Sequence, residues 1–221
     1  MEELLMLYYN NTPPSNIKIY FLEEEEYVKK YKEICKKINK EYDDDYLNTS
    51  GYYFFDSNNY YILIKKYPNL DCDNVYILNL FHELSHIETM PNVNLEKVHR
   101  KTAAYCGYDF WREYIAQYTA INQYQMKIGD IAFLKDEDET KKVLKNLYRN
   151  FNDTLYEIIL YSEITSIYIH SIREQSIELI ALLKSIKNKF TSKQDIKNIS
   201  INDLNKIGKI VNDILMILNF H

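Results

Sequence analysis

Glycine and proline are both scarce, with 4 of each in 221 residues. That excludes collagen-like and linker-dominated architectures and argues against a many-stranded sandwich or barrel, whose turns depend on these residues. Cysteine is also scarce: Cys35, Cys72 and Cys106 are odd in number and form no C-x-x-C pair. Neither a disulfide framework nor a thiolate zinc site is therefore expected, and the setting is a reduced, cytoplasmic one. No stretch approaches 18 uncharged apolar residues, so no membrane span is expected. The Met-Glu-Glu start lacks the basic-then-apolar order of a signal peptide. Positive charge is not in excess either: 27 basic residues face 32 acidic ones, for a net charge of −5. Such a chain is a poor binder of nucleic acid through its phosphates, so no direct nucleic-acid partner is expected.

What is present is an ordinary globular composition, 46% hydrophobic and 27% charged, long enough for one core domain with an appendage. Ile17–Leu22 (IKIYFL) reads as a short strand. The acidic run 23–26 then opens a helix to about residue 40, with Tyr27, Tyr31, Ile34 and Ile38 at helical spacing and the acids complementing the helix dipole. A calcium site in residues 23–26 or 43–45 would need alternating ligands around a central glycine, which neither run has. Residues 51–66 read as a hairpin, two aromatic and β-branched runs joined by Asp56-Ser57-Asn58-Asn59, with Pro68 ending the second strand. Asp73 is a candidate N-cap for a helix over 73–88 that is apolar almost all round and stops at Met90-Pro91-Asn92. A second helix spans 108–127 and ends near Gly129. After an acidic loop at 135–139, helices are expected over 140–150, 154–171, 174–189 and 201–219. The fold class expected is α+β, mostly helical.

Phe81-His82-Glu83-Leu84-Ser85-His86 contains H-E-x-x-H. On a helix, positions i and i+4 share a face, so His82 and His86 can share one metal. Glu83 then stands beside them, where a base would meet an attacking water. Zinc held by two imidazoles needs a further protein ligand and an open position. The extended form H-E-x-x-H-x-x-G-x-x-H is absent, because Thr89 and Asn92 occupy the places of its Gly and third His. The next helix offers Glu113, in Trp111-Arg112-Glu113-Tyr114-Ile115-Ala116; His99, Glu96 and Asp109 compete for the role. Asp109, one turn before Glu113, or Gln117 would suit a hydrogen bond to a metal-binding histidine.

The pair of motifs, His82-Glu83-x-x-His86 and, 27 residues on, Glu113-x-x-Ala116-x-x-x-Ala120, resembles the gluzincin metallopeptidases, and among them the ImmA/IrrE family of bacteria, phages and mobile elements. The resemblance covers about residues 51–120. It implies a minimal zincin-like core, a small antiparallel or mixed sheet with the active-site helix, placed over residues 1–130; the helical C-terminal region, 131–221, matches no part of the family and is expected to pack on that core. It also implies Zn2+ held by His82, His86 and Glu113, with Glu83 as the catalytic base. Family members of known role cleave specific partner proteins, often transcriptional repressors of mobile elements or stress genes. The chain departs from the family after the alanine pattern, where Ile121-Asn122-Gln123-Tyr124 replaces the usual apolar stretch.

The reaction expected is metal-assisted hydrolysis of a peptide bond in a protein substrate. Glu83 takes a proton from the attacking water and passes it to the leaving amine. Tyr105, Tyr108, Tyr114 and His99 are candidate donors to the oxyanion. Residues 60–64 are a candidate edge to which a substrate strand could add. The alternative is a zincin-fold binding, regulatory or anti-defence module that acts on a host protein without cutting it.

Overall fold

The computed structural model describes residues 2–43, 49–66, 73–93, 101–190 and 192–219. These residues are mostly helical with a small mixed sheet, the α+β class expected. Two compact units are formed, one by the residues up to Ser85 with Thr119–Gly129, the other by His86–Tyr118 with the residues from Asp130 on.

In the first unit, helix α1 (Glu2–Tyr8) is followed by β1 (Ile17–Leu22), α2 (Glu24–Lys37), β2 (Gly51–Phe55) and β3 (Tyr60–Lys65). The strand order is β1-β3-β2, with β1 parallel and β2 antiparallel to β3. Helix α2 thus carries the chain across the sheet, and the hairpin returns it to the middle. The hairpin forms where the sequence places it. Asp56 Oδ1 accepts the backbone N–H groups of Asn58 and Asn59 at 3.1 and 2.7 Å, while Ser57 takes a left-handed φ of 70°. Tyr61 donates to Asp56 Oδ2 at 2.7 Å. These bonds, led by that of Tyr61, hold the Asp56 carboxyl well below the usual carboxylate range.

Residues 60–64 are not an edge. Strand β3 is central, with Ile17–Leu22 hydrogen-bonded along one side and Gly51–Phe55 along the other, and its residues 61–65 are buried. A continuous apolar run of this kind is what burial on both faces requires. Helix α2 covers the sheet with the predicted stripe: Tyr27, Tyr31 and Ile34 pack with Phe54, Tyr61 and Leu63, and Ile38 lies against them. Residues 24–26 are exposed in its first turn. Pro68, Glu96 and His99, and the capping role assigned to Asp73, lie outside the described residues and side chains.

Helix α3 (Asp73–Thr89) carries the H-E-x-x-H motif, and α4 (Ala103–Lys127) follows it. Leu80, Phe81 and Leu84 are completely buried. Ser85 donates to the Phe81 carbonyl at 2.6 Å, so its oxygen is left to accept from Tyr8 of α1 at 3.0 Å. Lys127 at the end of α4 bonds the Tyr8 carbonyl and the Asn10 side chain, both at 2.8 Å. In this way α1, unforeseen in the sequence, braces the motif helix.

In the second unit, α4 begins five residues before the expected start at 108. Gly107, just before that expected start, lies within the helix as a contact surface. A Cβ on Gly107 would lie 1.9 Å from the Leu204 carbonyl oxygen, and one on Gly208 would lie 1.6 Å from that of Ala103. The two glycines let backbone meet backbone where α4 crosses α9 (Ile201–Asn219). Between them in sequence lie α5 (Glu137–Leu147), α6 (Phe151–Thr165), α7 (Arg173–Lys187) and the short α8 (Lys193–Ile196). Residues 137–139 are not a loop but the first turn of α5, capped by Asp136, whose side chain accepts the Glu139 N–H at 2.9 Å. The helix expected over 154–171 stops at Thr165, because Ser166 adopts a left-handed φ of 60°. Leu179, Leu183 and Ile186 of α7 and Leu204, Ile207, Val211 and Ile214 of α9 form a buried apolar seam at helical spacing. Among the described residues, no helix is long and apolar enough to cross a membrane.

Candidate metal centre

Helix α3 runs unbroken through both histidines, so His82 and His86 stand on successive turns of one face. The first is half-buried and the second buried. Glu113 of α4 reaches the same place. One ligand atom from each of His82, His86 and Glu113 lies within 4.8 Å of the others, the one such trio of donors among the described residues. His86 Nε2 and Glu113 Oε2 are 3.2 Å apart. For comparison, two ligands of a tetrahedral zinc ion at about 2.05 Å are about 3.3 Å apart. Donor types and spacing therefore both fit zinc, and these three residues would hold it.

The two oxygens of Glu113 are differentiated. Oε2 faces His86, while Oε1 is held by Arg112 Nη2 at 2.8 Å. With one oxygen turned to the guanidinium, the carboxylate presents its other oxygen to His86, as a one-oxygen metal ligand would. Sequence reasoning missed this contact, since neighbours in sequence point about 100° apart on a helix and nothing in the motif marks Arg112.

Glu83 is buried, at 7% exposure, and its neighbourhood is shaped by β2. A Cβ on Gly51 would come within 2.9 Å of Glu83 Oε1 and 3.1 Å of its Cγ. The first residue of the strand thus gives way to the carboxylate. The glycine is visible in the sequence only as the start of a hairpin.

Comparison of the chain with family models, curated proteins and solved structures returns no match.

The other candidates fall in different places. Asp109 is partly buried, and burial holds its carboxyl above the usual range, with Arg112 opposing and Glu113 adding to the shift. Among the described residues its carboxyl makes no hydrogen bond, so it supports neither histidine. Gln117 hydrogen-bonds Tyr161. Tyr114 is fully buried with its hydroxyl donated to Glu163, which removes it from the oxyanion donors. Tyr108 is buried, its hydroxyl 3.8 Å from Met90 Sδ, and burial pushes its phenol upward while the Arg112 charge opposes. Tyr105 is half-buried against the Tyr108 ring.

Proposed function

We propose that the protein is a zinc-dependent peptidase acting on a protein target, built on a minimal zincin-like core, in which His82, His86 and Glu113 hold the metal and Glu83 is the general base. The observation that carries this reading is the convergence of the three donor atoms within 4.8 Å, with a fourth group, Glu83, buried on the same helix. A site that only bound metal would have no use for a carboxylate next to a ligand.

Zinc in that position would supply Lewis acidity, lowering the pKa of water there towards about 7 and polarising a substrate carbonyl. Glu83 accepts the proton of the attacking water and delivers it to the departing amine, so that water adds across the C–N bond. The room left at Gly51 sets where that carboxylate sits. Arg112 keeps Glu113 turned so that one oxygen faces the histidines. The sequence resemblance points to a regulator of a mobile element or of a stress response as the protein cleaved.

Metal content tests the reading. The purified chain should carry about one zinc per molecule, and His82→Ala combined with His86→Ala should remove it. Unchanged zinc in the double variant would overturn the assignment.

A further inference from the structure

A charged network is buried beside α4, next to the proposed ligand. Lys187 of α7 donates to Glu163 of α6, with Nζ 2.9 Å from Oε1 and 3.2 Å from Oε2. It also donates to the Tyr114 hydroxyl at 2.7 Å, which in turn donates to Glu163 Oε2. One turn further along α4, Lys187 Nζ sits 3.9 Å from the Tyr118 ring centroid, a cation–π contact. The Lys187 and Glu163 side chains are only 13% and 10% exposed, and Tyr114 is completely buried. Burial pushes the Lys187 pKa below its ordinary value, with Glu163 opposing the shift.

An apolar cluster would glue three helices together without the desolvation that a buried ion pair requires. What such a pair adds is direction, because its hydrogen bonds are satisfied in one arrangement only. Tyr114 and Tyr118 lie one turn apart on the same face, so two contacts along α4 are held by one ammonium group, which fixes rotation about the helix axis. Glu113 is the residue immediately before Tyr114. A rotation of about 10° would swing a carboxylate at a radius of about 6 Å by about 1 Å, more than the roughly 0.5 Å that a preorganised ligand tolerates.

We infer that Tyr114, Glu163 and Lys187 are positioning residues of the metal centre, through which the C-terminal helices α6 and α7 set the rotation of α4 and aim Glu113 at His86. This rests on the metal reading above. It gives the helical C-terminal region a part in metal binding, although none of its residues is a ligand.

The test is a mutant cycle read by zinc affinity, from competition with a chromophoric chelator, and by the visible spectrum of the Co2+-loaded chain. Glu163→Met combined with Lys187→Met replaces the pair by apolar side chains of similar length, a kind of change that buried pairs often tolerate. It should weaken zinc binding roughly 10- to 100-fold and alter the Co2+ bands. In a Glu113→Ala background the same double change should leave the remaining zinc affinity unaltered, because the carboxylate it aims is gone. Tyr114→Phe removes one hydroxyl and should give a smaller loss in the same direction, so the inference stays open to refutation even if the double variant does not fold. Undiminished zinc affinity in folded variants, or an equal loss in the Glu113→Ala background, would overturn the positioning role alone. A wild-type chain that binds neither zinc nor Co2+ would overturn the metal reading, and this inference with it.

Discussion

Gly51 and Glu83 share a space that holds only one side chain: a methyl group on the glycine would stand 2.9 Å from the glutamate oxygen. The strand start and the proposed catalytic base are therefore coupled sterically, not through a hydrogen bond.

Gly51→Ala follows directly. The atoms it would crowd, Glu83 Oε1 and, at 3.1 Å, Glu83 Cγ and Ile64 Cδ1, all belong to side chains, so the chain should fold and bind zinc as before while the Glu83 carboxylate moves. Displacement of a base by about 1 Å can cost on the order of 100-fold in rate. Zinc content together with the cleavage rate checks this. An unchanged rate would mean that Glu83 is not held by β2.

What was legible in the sequence was local. H-E-x-x-H is a spacing within a single helix, the Asp56–Asn59 turn is four residues of strong turn chemistry, and the stripe of Tyr27, Tyr31, Ile34 and Ile38 repeats with the period of one element. Glu113 was legible as a candidate because it lies on the next helix. Two of the misses depend on a distant partner. Helix α4 extends back past Gly107, where Gly208, about a hundred residues on, meets it. The β3 strand looks like a free edge until β1 pairs with it in parallel, and parallel pairing is set by a crossover, not by a turn. The break at Ser166 follows from its left-handed backbone, a conformation its residue type does not announce.

The hairpin that presents Gly51 should weaken in acid. The folded-state pKa of Asp56 is depressed, chiefly by the Tyr61 hydroxyl and the Asn59 N–H, so the unfolded chain binds the proton more readily. The contribution is present above the ordinary carboxylate value, about 4, and is lost as pH falls below it. Asp56→Asn should lower the urea midpoint at neutral pH and flatten its decline between about pH 4 and 2. An identical acid slope in the variant would remove Asp56 from the account.

Arg112 divides the oxygens of Glu113 between itself and His86. With Arg112→Met, the freed Oε1 can turn to the metal or to solvent, and zinc affinity should fall about 10- to 100-fold. Arg112→Lys should recover only part, since an ammonium lacks the planar fork of a guanidinium. Chelator competition measures both variants, and equal affinity in all three chains would show the contact to be incidental.

The choice between an enzyme and a binding module turns on Glu83. The residue adjoins the first histidine of the motif and lies buried beneath β2, and Glu83→Gln retains its volume while removing its basicity. If the protein is a peptidase, the variant should keep its zinc and its fold yet lose cleavage of its target by about 10²- to 10⁴-fold, the usual worth of general-base assistance. A generic substrate such as casein is a poor probe, because the proposed activity is on a specific protein target. The informative assay expresses wild type or Glu83→Gln together with the proteins encoded beside it and follows each by mass. A fragment made by the wild type and not by the variant identifies target and reaction together. If instead both forms retain zinc, produce the same cellular effect and leave every neighbour intact, hydrolysis is not the activity, and the metal centre serves a module that binds its partner without cutting it.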